Sequence, residues 1–163
     1  MATDLQYRLG ASNDLAIINR LLAEAHLPWS DVELHLRNFM VACEEERVVG
    51  FIGLEVYGHV ALLRSLVVAP QMRGRGIGTQ LCERACARAL AQGVRDLYLL
   101  TLDAECYFAA RGFRQLDRSL APKEIQATQQ YTELCPASAV LMYRPLAGKN
   151  PQGVESAAPS VYS

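Results

Sequence analysis

The sequence predicts a single α/β domain, of the α+β kind, in which a mixed and mostly antiparallel sheet is flanked by helices. Three observations carry that expectation. Apolar runs of strand length, joined by short polar turns, fill residues 39–69. A run of helical period follows from Ile77 to Gln92, entered through a glycine-rich turn. Beyond it, strand-like and short helical stretches alternate as far as Tyr143. A chain of 163 residues is long enough for one complete core.

In chain order, Leu5–Leu9 is a short strand. Ser12 or Asn13 caps a helix whose apolar stripe is Leu15, Ile18, Leu21, Leu22 and Ala25, ending before Leu27-Pro28. Ser30-Asp31-Val32-Glu33 has the form of a capping box for a second helix through Asn38. Phe39–Cys43 is a strand, Glu44-Glu45-Glu46-Arg47 a solvated hairpin turn, and Val48–Tyr57 a long strand. Gly58-His59 turns the chain into a further strand, Val60–Ala69, which Pro70 stops. After the helix, which Gly93 ends, Asp96–Leu102 is a buried strand. Asp103-Ala104 opens a short helix through Arg111, with Gly112 in the helix-stop position, and Phe113–Asp117 is another strand. Ser119–Cys135 is a long polar excursion, helical in part from Pro122 to Tyr131, before a last strand at Ser138–Tyr143. An insertion of that size between two strands points to function. The stretch from Ala147 to Ser163 lacks apolar periodicity and reads as a disordered tail. The domain is therefore placed at residues 1–146 and the tail at 147–163.

Composition excludes several classes. A net charge of −1 gives no basic face for nucleic acid and no attraction to an anionic membrane. No apolar stretch approaches the ~18–20 residues of a membrane span, and no basic-then-apolar leader pattern is present. Cytoplasmic residence is the expectation. The five cysteines, Cys43, Cys82, Cys86, Cys106 and Cys135, are odd in number and irregular in spacing, as reduced and mostly buried thiols would be. Cys82 and Cys86 are i, i+4 neighbours that could hold a soft metal or metalloid, but no third ligand is placed, so no metal is assigned.

The stretch that organises the chain is Arg73-Gly74-Arg75-Gly76-Ile77-Gly78-Thr79. Strand, glycine-rich turn and helix together hold phosphate: glycines let backbone N–H groups approach the ligand, and the helix N-terminus adds partial positive charge. A P-loop would need lysine after Gly76 or Gly78, and the sequence has none there. A dinucleotide fingerprint needs a different glycine spacing and a later ribose-binding acid. The pattern R-x-x-G-x-G (Arg73, Gly76, Gly78) after a strand ending Val-Val-Ala-Pro, with the later Gly112-Phe113, resembles the acyl-CoA loop of the GNAT N-acetyltransferase superfamily.

The resemblance covers about residues 5–146 and implies a sheet splayed between its fourth and fifth strands, here 60–69 and 96–102. Acetyl-CoA would lie in that opening as co-substrate, its pantetheine arm on the backbone of Leu66, Val67 and Val68, and its pyrophosphate on Arg73, Gly74, Arg75, Gly76, Ile77, Gly78 and Thr79. A backbone N–H of the fourth strand would polarise the thioester carbonyl. The acceptor would be a primary amine of a small, amino-acid-like molecule. Within the superfamily the chain is most similar to the small branch of arsenic-resistance operons, through Leu63-Arg64-Ser65, Tyr107 to Phe113 and Leu134 to Val140. An amino-bearing organoarsenical is then one candidate acceptor, and a peptide N-terminus another. A homodimer through Pro136–Tyr143 is a further implication of the family.

The usual proton carriers of the family are absent from their places. Leu62 stands where a glutamate base is common, and Phe108 where a tyrosine acid is common. Tyr107, one residue away, Cys106, or Ser65 with water are the substitutes; a thiol leaving group can also depart without an acid. A non-catalytic acyl-CoA-sensing module is accordingly the alternative from another class. Arg64 alternates with apolar neighbours and reads in two ways, as an anchor for a substrate anion or as the partner of a structural acid such as Glu55. Trp29 and His26 flank Pro28 in the loop that lines the acceptor pocket in the family. His35 and His59 read as a helix-surface and a turn residue; Arg111 and Arg114 read as solvated surface, with contact to the adenosine phosphate of CoA as the alternative.

Overall fold

The computed structural model describes residues 4–134 and 137–146. The tail expected to be disordered, and Cys135, lie outside the described residues. Seven strands form one sheet: β1 (Leu5–Leu9), β2 (Met40–Glu44), β3 (Arg47–Tyr57), β4 (Val60–Val68), β5 (Asp96–Thr101), β6 (Arg114–Leu116) and β7 (Val140–Pro145). Their order across the sheet is β1-β2-β3-β4-β5-β7-β6. Every neighbouring pair is antiparallel except β4 with β5, which run parallel. That parallel pairing is confined to Val60–Leu62 opposite Asp96–Tyr98. Beyond it the strands part, and the expected splay is present.

The helices are α1 (Leu15–Glu24), α2 (Val32–His35), α3 (Ile77–Ala91), α4 (Glu105–Ala109) and α5 (Lys123–Gln126). On one face of the sheet α3 buries Ile77, Leu81, Cys82, Ala85 and Ala89 against Ile52, Leu54, Leu63 and Leu97. The opposite face carries α1 and α2, with Ile18, Leu22 and Val32 on Phe39 and Phe51, and further along α5, whose Ile125 packs on Leu62, Tyr98 and Tyr143. Phe39 needs the room that Gly53 leaves: a Cβ at Gly53 would lie 2.5 Å from its ring.

Element boundaries fall within a few residues of those the periodicity implies, but both predicted helix caps are displaced. Neither Ser12 nor Asn13 caps α1; they lie inside a 3-10 turn, Ser12–Asp14, that leads into it. Asp14 takes the N-cap position of α1 without a side-chain cap bond; its carboxylate turns back to accept from the Ala11 N–H at 2.7 Å and two bonds from Arg8, tying down the 3-10 turn. The Ser30–Glu33 box does not form either. Asp31 takes the cap position without capping, because its carboxylate is drawn into the sheet. The polar excursion holds α5 and a π-helical turn, Gln130–Leu134, with Thr128 tying the two through Ile125 O and Tyr131 N. β7 starts later than expected and is interior, paired with β5 on one side and β6 on the other. Both its edges are taken over Leu141–Tyr143, within the stretch expected to form a dimer.

Asp14 gives a test of the entry to α1. The Arg8 guanidinium holds the Asp14 carboxyl below the usual carboxylate range. Replacing Asp14 with alanine should cost about 1–2 kcal/mol at neutral pH, the worth of hydrogen bonds to a charged group. A carboxylate with a depressed folded pKa stabilises above its unfolded value and loses that contribution as pH falls through the folded one. The wild-type advantage over Asp14→Ala in urea melts should thus persist above about pH 4 and shrink below it.

Candidate active site

The opening between β4 and β5 begins at a bulge. Gly53 faces Arg64, yet two residues along Phe51 faces Val67, so β4 holds one residue more than its partner. Ser65 absorbs the excess with φ +62, a left-handed conformation uncommon outside glycine. A bulge of this kind turns the backbone after it out of the ladder and re-aims its N–H groups. Leu66, Val67 and Val68 follow directly and line a cavity of about 600 Å³. A second cavity, of about 910 Å³, lies on the other side. The two share Ala25, Leu66, Ala104 and Phe108, so they meet at the bulge.

The first cavity runs to the glycine-rich turn. Gly76 sits at the N-cap of α3 with φ +79, where an L side chain would be strained. Arg73, Gly74, Gly76, Ile77, Gly78 and Thr79 all reach the cavity wall, whereas Arg75 does not. Arg73 is aimed by a bond from its Nε to Val68 O at 3.1 Å. Gly78 is glycine for a different reason: a Cβ there would stand 2.3 Å from the Tyr107 hydroxyl. Tyr107 therefore lies on the turn side, its ring under the Arg111 guanidinium at 3.4 Å, and burial pushes its hydroxyl pKa up.

Arg111, expected at the solvated surface, is instead part of this wall. It donates to Tyr107 O at 2.7 Å and to Thr79 Oγ1 at 2.8 Å, while its buried Nε has no acceptor among the described residues. An orphaned guanidinium donor beside backbone amides and a helix start suits an anionic oxygen, and so fits the pyrophosphate of acetyl-CoA. Its i, i+4 spacing from Tyr107 was the signal that could have placed it.

The second cavity is lined by the α1–α2 loop, the bulge and the ends of β5 and the excursion. His26, Trp29, Ser65, Asp103 and Glu133 reach it, and so does Arg64. His26 follows α1 with φ +58, the left-handed residue of the cap that ends the helix. Of the two readings of Arg64, pairing with structural acids is the one the fold adopts. Its side chain is 1 % exposed. Nη1 donates to Asp31 Oδ2 at 2.5 Å and to Glu55 Oε2 at 2.8 Å, Nη2 to Asp31 Oδ1 at 2.7 Å, and Nε to Ser65 Oγ at 2.8 Å. Tyr57 completes the network by donating to Glu55 Oε1 at 2.5 Å. Arg64 is corrected from substrate anchor to a residue that ties the α1–α2 loop, β3 and the bulge together.

Other candidates separate from the site. Leu62, at the position where the family often has glutamate, is fully buried under Ile125 on the α5 side. Tyr107 lines only the first cavity and Ser65 only the second, while Phe108 reaches both. Cys106 is exposed. Burial pushes the Cys82 thiol up to about 12 and also raises Cys86, so both are held as thiols and not as the thiolates that bind soft metals. Asp31, His35 and Glu55 bring ligand atoms within 4.8 Å of one another, but the Arg64 guanidinium already lies between the two carboxylates.

Two substitutions test this geometry. Arg64→Ala leaves two buried carboxylates uncompensated and should cost about 3–5 kcal/mol in denaturant melts. Gly78→Ala should destabilise by about 1–3 kcal/mol through its clash with the Tyr107 hydroxyl. Adding Tyr107→Phe, which removes that hydroxyl, should restore most of the loss; a double variant no better than the single one would show that the clash lies elsewhere.

Comparison with known proteins gives the same picture. Residues 13–113 match the model of the acetyltransferase (GNAT) family. An uncharacterised N-acetyltransferase of Chlorobaculum tepidum is 33 % identical over 92 residues, which is 56 % of this chain and 59 % of that protein. An amino-acid acetyltransferase of Ralstonia nicotianae is 32 % identical over 121 residues, 68 % of this chain but only 27 % of its own length. Among solved structures, N-acetylglutamate synthase of Neisseria gonorrhoeae, complexed with coenzyme A and N-acetyl-glutamate, superposes with a TM-score of 0.76 at 20 % identity. That match covers 91 % of this chain and 36 % of the synthase. The chain thus spans less than two thirds of each of these proteins. The family model covers more than half of the chain, and the sheet has the fold its solved neighbours share: this protein belongs to the GNAT acetyltransferase family.

Proposed function

We propose that the protein transfers an acetyl group from acetyl-CoA to the primary amine of a small molecule by direct attack on the thioester. One observation carries this reading: two cavities meet at the β4 bulge, one built on the glycine-rich turn and the other opening on the α1–α2 loop. A module that only sensed acyl-CoA would need the first cavity and not the second.

Acetyl-CoA supplies an activated acyl group when bound; the chain supplies the rest. Backbone N–H groups from Gly74 to Thr79, with Arg73 and the orphaned Arg111 Nε, would hold the pyrophosphate. The N–H groups turned out of the ladder after Ser65 would polarise the thioester carbonyl. Tyr107, on the first-cavity side, is suited to the departing sulfur, and Ser65, on the acceptor side, to relaying a proton through water. The attacking amine must be neutral. Among the described residues lining the acceptor cavity, His26 is the histidine, the side chain type best suited to take a proton near neutral pH. Its left-handed backbone belongs to the cap that ends α1, where His26 N–H donates to Ala23 O and Leu27 N–H to Leu22 O, and this places the imidazole at the start of the α1–α2 loop.

The similarity to the arsenic-resistance branch keeps amino-bearing arsenicals among the acceptors to be tried, and peptide N-termini remain the other acceptor class. The first experiment is release of coenzyme A thiol from acetyl-CoA across amines, amino acids, amino-bearing arsenicals and N-terminal peptides, after binding of acetyl-CoA has been measured by calorimetry. Turnover with one class is expected; binding without any turnover would favour the sensing module. His26→Gly separates fold from catalysis. It should leave the melting temperature unchanged or higher, because glycine relieves about 1 kcal/mol of left-handed strain. It should lower kcat/KM about a hundredfold through loss of the base. Unchanged kcat/KM would remove His26 from the mechanism.

A further inference from the structure

The acceptor cavity says what its amine must lack. Resting on the acetyl-transfer reading above, we infer that the acceptor carries no carboxylate on the carbon bearing the amino group, and is an alkyl- or arylalkylamine in place of an α-amino acid.

A carboxylate taken into an apolar cavity loses hydration that only a cation or several N–H donors can return. The cavity's one arginine or lysine among the described residues is Arg64. Its guanidinium is committed on every nitrogen, to Asp31, Glu55 and Ser65, and its side chain is 1 % exposed. Two buried carboxylates already share that single positive charge, so a third has nothing to gain there. His26 cannot serve as the anion's partner, because it must be neutral to take the amine's proton. The start of α4 is closed as well: the Ala104 N–H already donates to Thr101 Oγ1 at 3.0 Å.

The remaining charged groups on the wall are carboxylates. Asp103 and Glu133 line the cavity, both are exposed, and neither enters an ion pair with a described residue. Their field attracts an incoming ammonium and repels a carboxylate beside it. Between them and the bulge the walls are Trp29, Leu63, Leu66, Leu99 and Leu102, which accept a hydrocarbon body. The cavity thus offers anions at its charged positions, apolar surface between them, and the bulge at which the amine meets the thioester.

The test uses matched acceptors that differ only at this group: phenethylamine, phenylalanine and phenylalanine methyl ester, then butylamine and norvaline. With acetyl-CoA, the amine and the ester should exceed the free amino acid in kcat/KM by about tenfold or more, the usual cost of stranding a charged group. An amino acid equal to or better than its amine overturns the inference. If nothing is turned over, binding decides, because Trp29 is the sole tryptophan and lies on the wall of this cavity. Its fluorescence in the protein saturated with coenzyme A should respond to phenethylamine at lower concentration than to phenylalanine. That result would sink acetyl transfer and keep the inference, whereas the reverse order would sink both; turnover that favours the amino acid would sink the inference alone. The double variant Asp103→Asn, Glu133→Gln should raise KM for the amine about threefold to fivefold, as exposed charges do, and narrow its lead over the amino acid. An unchanged lead would overturn the role given to the two carboxylates.

Discussion

The structure depends on a buried arginine inside a strand. Arg64 stands in β4 among apolar neighbours and is neutralised by Asp31 from the α1–α2 loop and Glu55 from β3. Removing such a network is costly, but its presence is weak evidence of net stability, since three charged groups have been taken out of water to build it. What it provides is geometry. One planar group fixes a loop, a neighbouring strand and the Ser65 hydroxyl at once, and Ser65 is the residue whose backbone departs from the strand. The α1–α2 loop and the bulge are therefore held in register with each other by the same guanidinium, through four hydrogen bonds.

The rest of the site follows from the sheet. β4 and β5 pair over three residue pairs and then separate, while β5 keeps six with β7 and β3 continues along β4 past the bulge. Each strand stays satisfied on its outer side as the inner sides open. The backbone of Leu66, Val67 and Val68 is thus exposed to a cavity without the sheet losing its integrity. α3 closes one end of that opening with its N-terminus and the αL glycines before it, and the α1–α2 loop closes the other.

Much of this was legible in the residues, and the limits are physical. The glycine-rich turn could be read because Gly76 needs a left-handed backbone and Gly78 a close neighbour, and both demands leave glycine in the sequence. The alternation of Arg64 with leucines showed an unusual buried position. Its main partner, Asp31, lies 33 residues away in a helix cap that looked complete with Ser30 and Glu33, so local capping logic pointed elsewhere. Local signals fail where a side chain is claimed by a distant group. Ser65 was opaque for the opposite reason: serine carries no mark of a positive φ, and only the bulge forces it. Asp103 and Glu133 became site residues only because β5 and the excursion end at the same mouth.

The long excursion also explains where the proton chemistry cannot be. It lays α5 across the end of β4 and puts Ile125 on Leu62, with Tyr98 and Tyr143 beside them. A glutamate at position 62 would be a carboxylate facing that apolar layer, with no partner and a cost of several kcal/mol in keeping its charge. Leucine there is the residue the packing requires. Once that face has become core, the proposed mechanism must draw its base from the other boundary of the second cavity. The α1–α2 loop is the part of that boundary tied to the bulge by Arg64, and His26 stands in it. The same insertion that makes position 62 part of the core brings Glu133 to the cavity mouth, so in the proposed mechanism the excursion would both displace the proton acceptor and set the charge that an incoming amine meets.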